Sequence, residues 1–141
     1  TTKYAFTIDE APIAHLADIT KRLEDPGFAI WDTRSAEEYS GEKVVSERSG
    51  HIPGAINIDW LELIDQERDS RLTDLEQLRS RLSEAGLTPD KDIVTYCHSH
   101  HRSALAYLVM KILGYPSIKG YDGSWSEWGN DKDTPIETGG E

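Results

Sequence analysis

The stretch DIVTYCHSHHRSALAYLVMKILGYPSIKGYD, residues 92–122, runs from one apolar strand pattern to another through a single helix pattern. "DIVTYC" (92–97) is a short run of β-branched and aromatic residues, as a strand buried on both faces requires. Ser103–Leu113 is apolar on most sides, with Gly114 and Pro116 as stop signals, and predicts a helix starting near Arg102 or Ser103. "SIKGYD" (117–122) reads as the next strand. Strand, helix and strand in such close succession make a parallel crossover unit.

The same alternation extends outward. "FAIWD" (28–32) is another buried strand, ending in a carboxylate, and "SAEEY" (35–39) is a brief helix capped by Ser35. Residues 40–50 are polar and form a surface loop, and "HIPGAINID" (51–59) carries a turn and then a strand over Ala55–Ile58. "WLELID" (60–65) predicts a helical turn, and Thr73 with Glu76 makes a capping box for a helix through Leu75, Leu78 and Leu82 to Gly86. Upstream, Thr7 or Asp9 caps a first helix running to Leu23, which "DPG" (25–27) ends. "GSWSEWG" (123–129) is a short aromatic helix or turn, and the last dozen residues read as a frayed polar tail. Helices between strands predict an α/β fold, with a parallel sheet covered on both faces. We expect one domain over residues 1–130 and a polar tail over 131–141.

The chain has 141 residues, 37% of them hydrophobic, enough for one buried core. A formal charge of -11 argues against nucleic acid and anionic membrane as partners, because both reward clustered Lys and Arg. No apolar stretch approaches the roughly 18 residues of a membrane span. No signal peptide pattern is visible, and the first residue is Thr1, as in a processed form or a segment of something longer. A single cysteine makes no internal disulfide and fits a reducing, cytoplasmic compartment.

That cysteine stands where chemistry is expected. Open parallel sheets bind ligands outside the carboxyl ends of their strands. Asp32, Thr33 and Arg34 follow one strand there, and Cys97 follows another. Backbone N–H groups of a strand-to-helix loop can converge on an anion, and the helix N-terminus adds partial positive charge. Both favour a thiolate at Cys97, as does a nearby Arg102. A cation at a helix start is mildly unfavourable, which an anion beside Arg102 would offset. His98, His100 and His101 have three readings: soft-metal ligands with Cys97, a basic rim attracting an anionic substrate, or loop filling. Four ligands in five consecutive positions rarely wrap one tetrahedral ion, so no metal is expected. Asp32 reads as a buried carboxylate bonded to Arg34 or to loop N–H groups, with contact to the cysteine loop as the alternative.

Four segments in series resemble a rhodanese-type sulfurtransferase domain: "WDTRSAEEY" (31–39), "SGHIPGAINIDW" (49–60), "VTYCHSHHRSA" (94–104) and "LGYPSIKGYDGSWSEWGN" (113–130). The resemblance implies the three-layer rhodanese-like fold, with about five parallel strands and helices on both faces. It implies a catalytic Cys97 and a persulfide-binding loop of His98, Ser99, His100, His101, Arg102 and Ser103, supported by Asp32 and Arg34. The implied reaction moves sulfane sulfur from thiosulfate or a related donor to cyanide or a thiol. It needs no cofactor, and its other partners would be a protein sulfur acceptor or a tandem rhodanese domain. Four residues separate Cys97 from Arg102, where the related cell-cycle phosphatases have five, and the shorter loop suits a sulfur atom rather than a phosphoryl group. Two-domain thiosulfate and mercaptopyruvate sulfurtransferases often carry an Arg just before the aromatic of the first segment. Here Glu38 precedes Tyr39.

Overall fold

The computed structural model describes residues 5–140, so Thr1–Tyr4 and Glu141 of the expected domain and tail lie outside the described residues. In chain order the elements are β1 (Ile13–Ala14), α1 (Leu16–Thr20), β2 (Phe28–Asp32), α2 (Ala36–Ser40), β3 (Ile56–Asn57), β4 (Ile64–Asp65), β5 (Arg71–Leu72), α3 (Leu75–Glu84), β6 (Asp92–Tyr96), α4 (His101–Ile112), β7 (Ile118–Tyr121) and α5 (Ser124–Trp128). Five strands form one sheet in the order β1-β7-β6-β2-β3, and every neighbouring pair is parallel. The chain steps from β2 to β3 on one side and from β6 to β7 on the other. The sheet therefore changes direction between β2 and β6, where an open α/β sheet leaves a crevice at its carboxyl edge. Asp32 and Tyr96 are paired across that point, and Cys97 follows directly.

Alternation along the strands explains the three layers. Ala29, Trp31 and Ile93 face one core, closed by Leu78 and Leu82 of α3 and by Ala106, Val109 and Met110 of α4. Ile30, Val94 and Tyr96 face the other, closed by Ile19 of α1 and by Trp125 and Trp128 of α5. A strand buried on both sides is apolar at most positions rather than alternating, which is why these segments stood out. Among the described residues no helix is long and apolar enough to cross a membrane.

The structure departs from expectation in four places. The first helix does not run from Thr7 or Asp9 to Leu23. Pro12 disfavours helix at and before it, so Ile13 and Ala14 pair with Gly120 and Tyr121 as an edge strand. The helix that follows spans only Leu16–Thr20 and starts at His15, whose N–H donates to Asp18. The cap of α3 is Asp74 rather than Thr73: its Oδ1 accepts from the N–H groups of Glu76 and Gln77. Thr73 is instead tied to the preceding turn through Glu62 and Leu63. The unexpected antiparallel pair β4–β5 turns through Asp69 and Ser70, both left-handed at φ 56 and 55.

The C-terminal segment is packed rather than frayed. His51 and Glu137 exchange two backbone hydrogen bonds of 2.8 and 3.0 Å, and Gly139 N–H donates to Ser40. Arg48 donates to the carbonyls of Trp128, Asp131 and Thr134, and the Trp128 indole donates to Pro135. Gly50 allows this approach: at φ 117, any Cβ there would overlap the Glu137 carbonyl. Ile136 packs against the second core, so residue 130 is not a physical boundary.

Candidate active site

Cys97 leaves β6 1% exposed, yet it belongs to neither apolar core. Its backbone is held by polar contacts. The Cys97 N–H donates to Ser124 Oγ at 3.3 Å, and that hydroxyl donates to the Tyr121 carbonyl. The carbonyls of Cys97 and His98 accept from the N–H groups of Trp125 and Ser126, both at 2.9 Å. The first turn of α5 thus grips the start of the loop by its oxygens. Among the described residues, the N–H groups of His98 to Ser103 meet no acceptor. Those of His101, Arg102 and Ser103 are the open donors that begin α4, whose N-cap residue His100 supplies no side-chain cap. A set of free donors beside one thiol is what a sulfur anion would need.

Arg102 lies against that thiol but is not waiting for an anion, as its place at a helix start implied. Its Nη1 and Nη2 donate to the two carboxylate oxygens of Glu38 at 2.7 and 3.0 Å. These bonds raise the Arg102 pKa most; burial opposes them, while the charges of Glu38 and Cys97 add to the rise. Glu38 also closes the capping box of α2 with Ser35. Burial pushes its carboxyl up, but the bonds from Arg102, the Ser35 amide and the charge of Arg34 more than offset this and hold it at about 2. Glu38 is ionised throughout the neutral range.

The folded-state value lies below the unfolded one, so the pair contributes stability above about pH 4.5, lost as pH falls towards about 2. On that shift the contribution is on the order of 3 kcal/mol. Glu38→Gln is expected to lower stability at pH 7 by up to that amount, the gap from wild type closing below pH 4.5. Urea unfolding from pH 7 to 2 measures it, and a constant gap at all pH values would contradict the assignment.

Asp32 and Arg34 are brought together, but as a buried pair beside the loop. Asp32 accepts from the Arg34 N–H, Nε and Nη2 and, at 2.5 Å, from the Tyr96 hydroxyl. Arg34 Nη2 also donates to Gly50, and the guanidinium lies 4.5 Å over the Trp125 ring. Burial alone would lower the Arg34 pKa; Asp32 more than offsets it, so the group stays charged. Thr33 laces the ends of β2 and β6 together through the Tyr96 carbonyl.

The three imidazoles do not form one basic rim. His101 is exposed and pairs with Ser99. His98 keeps a buried Nδ1 without a partner among the described residues. His100 turns inward, and burial lowers its pKa against the opposing charge of Asp122, so it is neutral at pH 7. Among the described residues no three His, Cys, Asp or Glu side chains gather where a metal ion could be held. Sequence reasoning missed Glu38 as the partner of Arg102, and Ser124 as the anchor of the loop. The spacing of Ser35 and Glu38 announced a helix cap, but nothing in it pointed across to α4.

The rhodanese-like domain family matches residues 15–131. The chain belongs to that family. The thiosulfate sulfurtransferase of Azotobacter vinelandii is 51% identical over 133 residues, which are 94% of this chain and 48% of that protein. The thiosulfate sulfurtransferase of Pseudomonas aeruginosa is 46% identical, over 93% of this chain and 48% of its own length. The sulfur carrier protein TtuD of Thermus thermophilus is 43% identical, over 94% of this chain and 50% of its own. The chain thus spans about half the length of the curated relatives it matches. An anaerobic ergothioneine biosynthesis enzyme of Chlorobium limicola superposes with a TM-score of 0.85 at 25% identity, covering 93% of this chain and 33% of that one. The rhodanese-like fold accounts for the five-stranded parallel sheet and the helices that cover it.

Proposed function

We propose that this domain is a sulfurtransferase that carries one sulfane sulfur on Cys97, in a reducing, cytoplasm-like compartment. The observation that supports the reading is a lone cysteine at the end of β6, outside both apolar clusters, with Arg102 beside its thiol and a following loop whose N–H groups meet no acceptor among the described residues. As thiolate, the nucleophilic form, Cys97 attacks the outer sulfur of thiosulfate. The new Cys97–S bond forms, the sulfur–sulfur bond of thiosulfate breaks with its electron pair, and sulfite leaves. The Cys97 persulfide keeps one negative charge, which the N–H groups of His98 to Ser103 stabilise. Cyanide or a thiolate then takes the outer sulfur and returns Cys97 as thiolate. Two displacements replace one difficult transfer.

The chain as a whole, at -11, repels a dianionic donor, so capture falls to the loop donors and Arg102. Glu38 already holds Arg102 and opposes that capture. Glu38→Gln is therefore expected to lower the KM for thiosulfate severalfold, as removing a like charge is worth on the order of 1 kcal/mol. A raised KM in initial-rate assays would show that Glu38 is needed to aim the guanidinium.

The likeness to the sulfur carrier protein TtuD favours a second reading, in which the persulfide is handed to a protein partner. Steady-state assays with thiosulfate, mercaptopyruvate and glutathione persulfide, each with cyanide as acceptor, separate the two. Sustained turnover with at least one donor supports the enzyme. Sulfur uptake without turnover supports the carrier, and neither uptake nor turnover with any donor sinks both.

A further inference from the structure

His100 holds the one backbone conformation in the loop that its side chain disfavours. It lies at φ 63 and ψ 5, left-handed, and a Cβ crowds the backbone there. Its carbonyl accepts the Ala104 N–H and so begins α4. The kink at His100 therefore sets how the loop donors enter the helix. Some contact must hold it, and the loop's own bonds are few.

Two contacts engage the ring. Nδ1 lies 2.7 Å from Ser103 Oγ. The other edge of the imidazole rests on Gly120, where an added Cβ would overlap Cε1 and Nε2. Gly120 is an ordinary strand residue in every other respect. It pairs with Thr95 in β6 and donates its N–H to Pro12. It is absent from the glycines with positive φ, so its dihedrals do not call for glycine. The space taken by the His100 ring does.

We infer that Gly120 is the seat of the His100 imidazole, and that this seat holds the left-handed kink from which the loop donors are aimed at Cys97. His100 and Gly120 act as positioning residues, through the backbone of the loop. The inference rests on the sulfur-transfer reading for its consequence, but not for its geometry.

Gly120→Ala fills the seat and expels the ring. Sulfur transfer from thiosulfate to cyanide is expected to fall about a hundredfold, the loss that a small misplacement of reacting groups can cause. His100→Gly removes the ring and tolerates the kink, at the cost of a looser loop, and is expected to lose about fivefold. The double variant is the decisive one. With no ring to expel, it is expected to return to the rate of His100→Gly alone. A double variant as slow as Gly120→Ala overturns the proposal. If Gly120→Ala alone fails to fold, a folded double variant at the His100→Gly rate supports the seat, and an unfolded double variant overturns it.

A readout that needs no sulfur chemistry keeps the two readings apart. Carbethoxylation by diethylpyrocarbonate, located by peptide mass spectrometry, is expected to be slower at His100 than at His101 in the wild type. In Gly120→Ala the two are expected to react alike. A wild type that takes up no sulfur defeats the transfer reading alone. Unchanged His100 labelling in Gly120→Ala defeats the seat alone.

Discussion

Cys97→Ser is expected to reduce sulfur transfer from thiosulfate to cyanide by at least about a thousandfold, the scale on which losing a nucleophile acts. The melting temperature should barely change. A hydroxyl is smaller than the thiol it replaces, and the thiol lies outside both apolar cores. Arg102, beside the thiol, can still donate to the oxygen, so the new hydroxyl has a partner. What disappears is the atom that bonds to sulfur. The chain contains no other cysteine to take its place. Assays of thiocyanate formation beside thermal unfolding separate the two effects. A variant that keeps more than about a tenth of the wild-type rate would show that the nucleophile lies elsewhere.

Arg34→Met is expected to give the largest loss of stability, about 3 to 5 kcal/mol, because it leaves the Asp32 carboxylate buried without its counter-charge. Both side chains are 0% exposed. The guanidinium also donates to Gly50 and stacks on Trp125, so it joins β2 to the loop that holds the C-terminal segment and to α5, which grips Cys97. The loss should reach the site, with Cys97 reactivity falling as the anchor of the loop loosens. For a domain of this size a loss of that order lowers Tm by about 10 °C or more. Chemical denaturation measures it directly. Asp32→Leu combined with Arg34→Met should lose less than the two single changes together, since the double variant strands no charge. Strict additivity, or a loss below about 1 kcal/mol for Arg34→Met, would contradict a buried pair that carries the fold.

The elements legible in the sequence were those whose burial leaves a pattern. β2, β6 and β7 are apolar because both faces are covered, and α4 is apolar on most sides because it packs on the sheet and the 3-10 turn at Trp60–Leu63. β1 is two residues long and carries no periodicity. Its place follows from Pro12 and from pairing with a strand more than a hundred residues later. The tail is polar because its groups are satisfied by Arg48, His51 and Ser40, partners that its own composition does not announce. The site divided in the same way. Cys97 to Ser103 could be singled out as a candidate loop because they are contiguous and sit between a strand and a helix. Glu38 was read as a departure from the Arg of two-domain relatives, while its bond to Arg102 spans 64 positions of the chain. Gly120 and Ser124 were silent, since their roles are a space and an anchor rather than a reactive group.

The most direct measurement of the central claim is the intact mass of the wild-type protein after incubation with thiosulfate and removal of small molecules. A gain of about 32 Da, one sulfur atom as a persulfide, is expected. It should locate to Cys97 and vanish when cyanide is added. No gain, or the same gain in Cys97→Ser, would contradict the account.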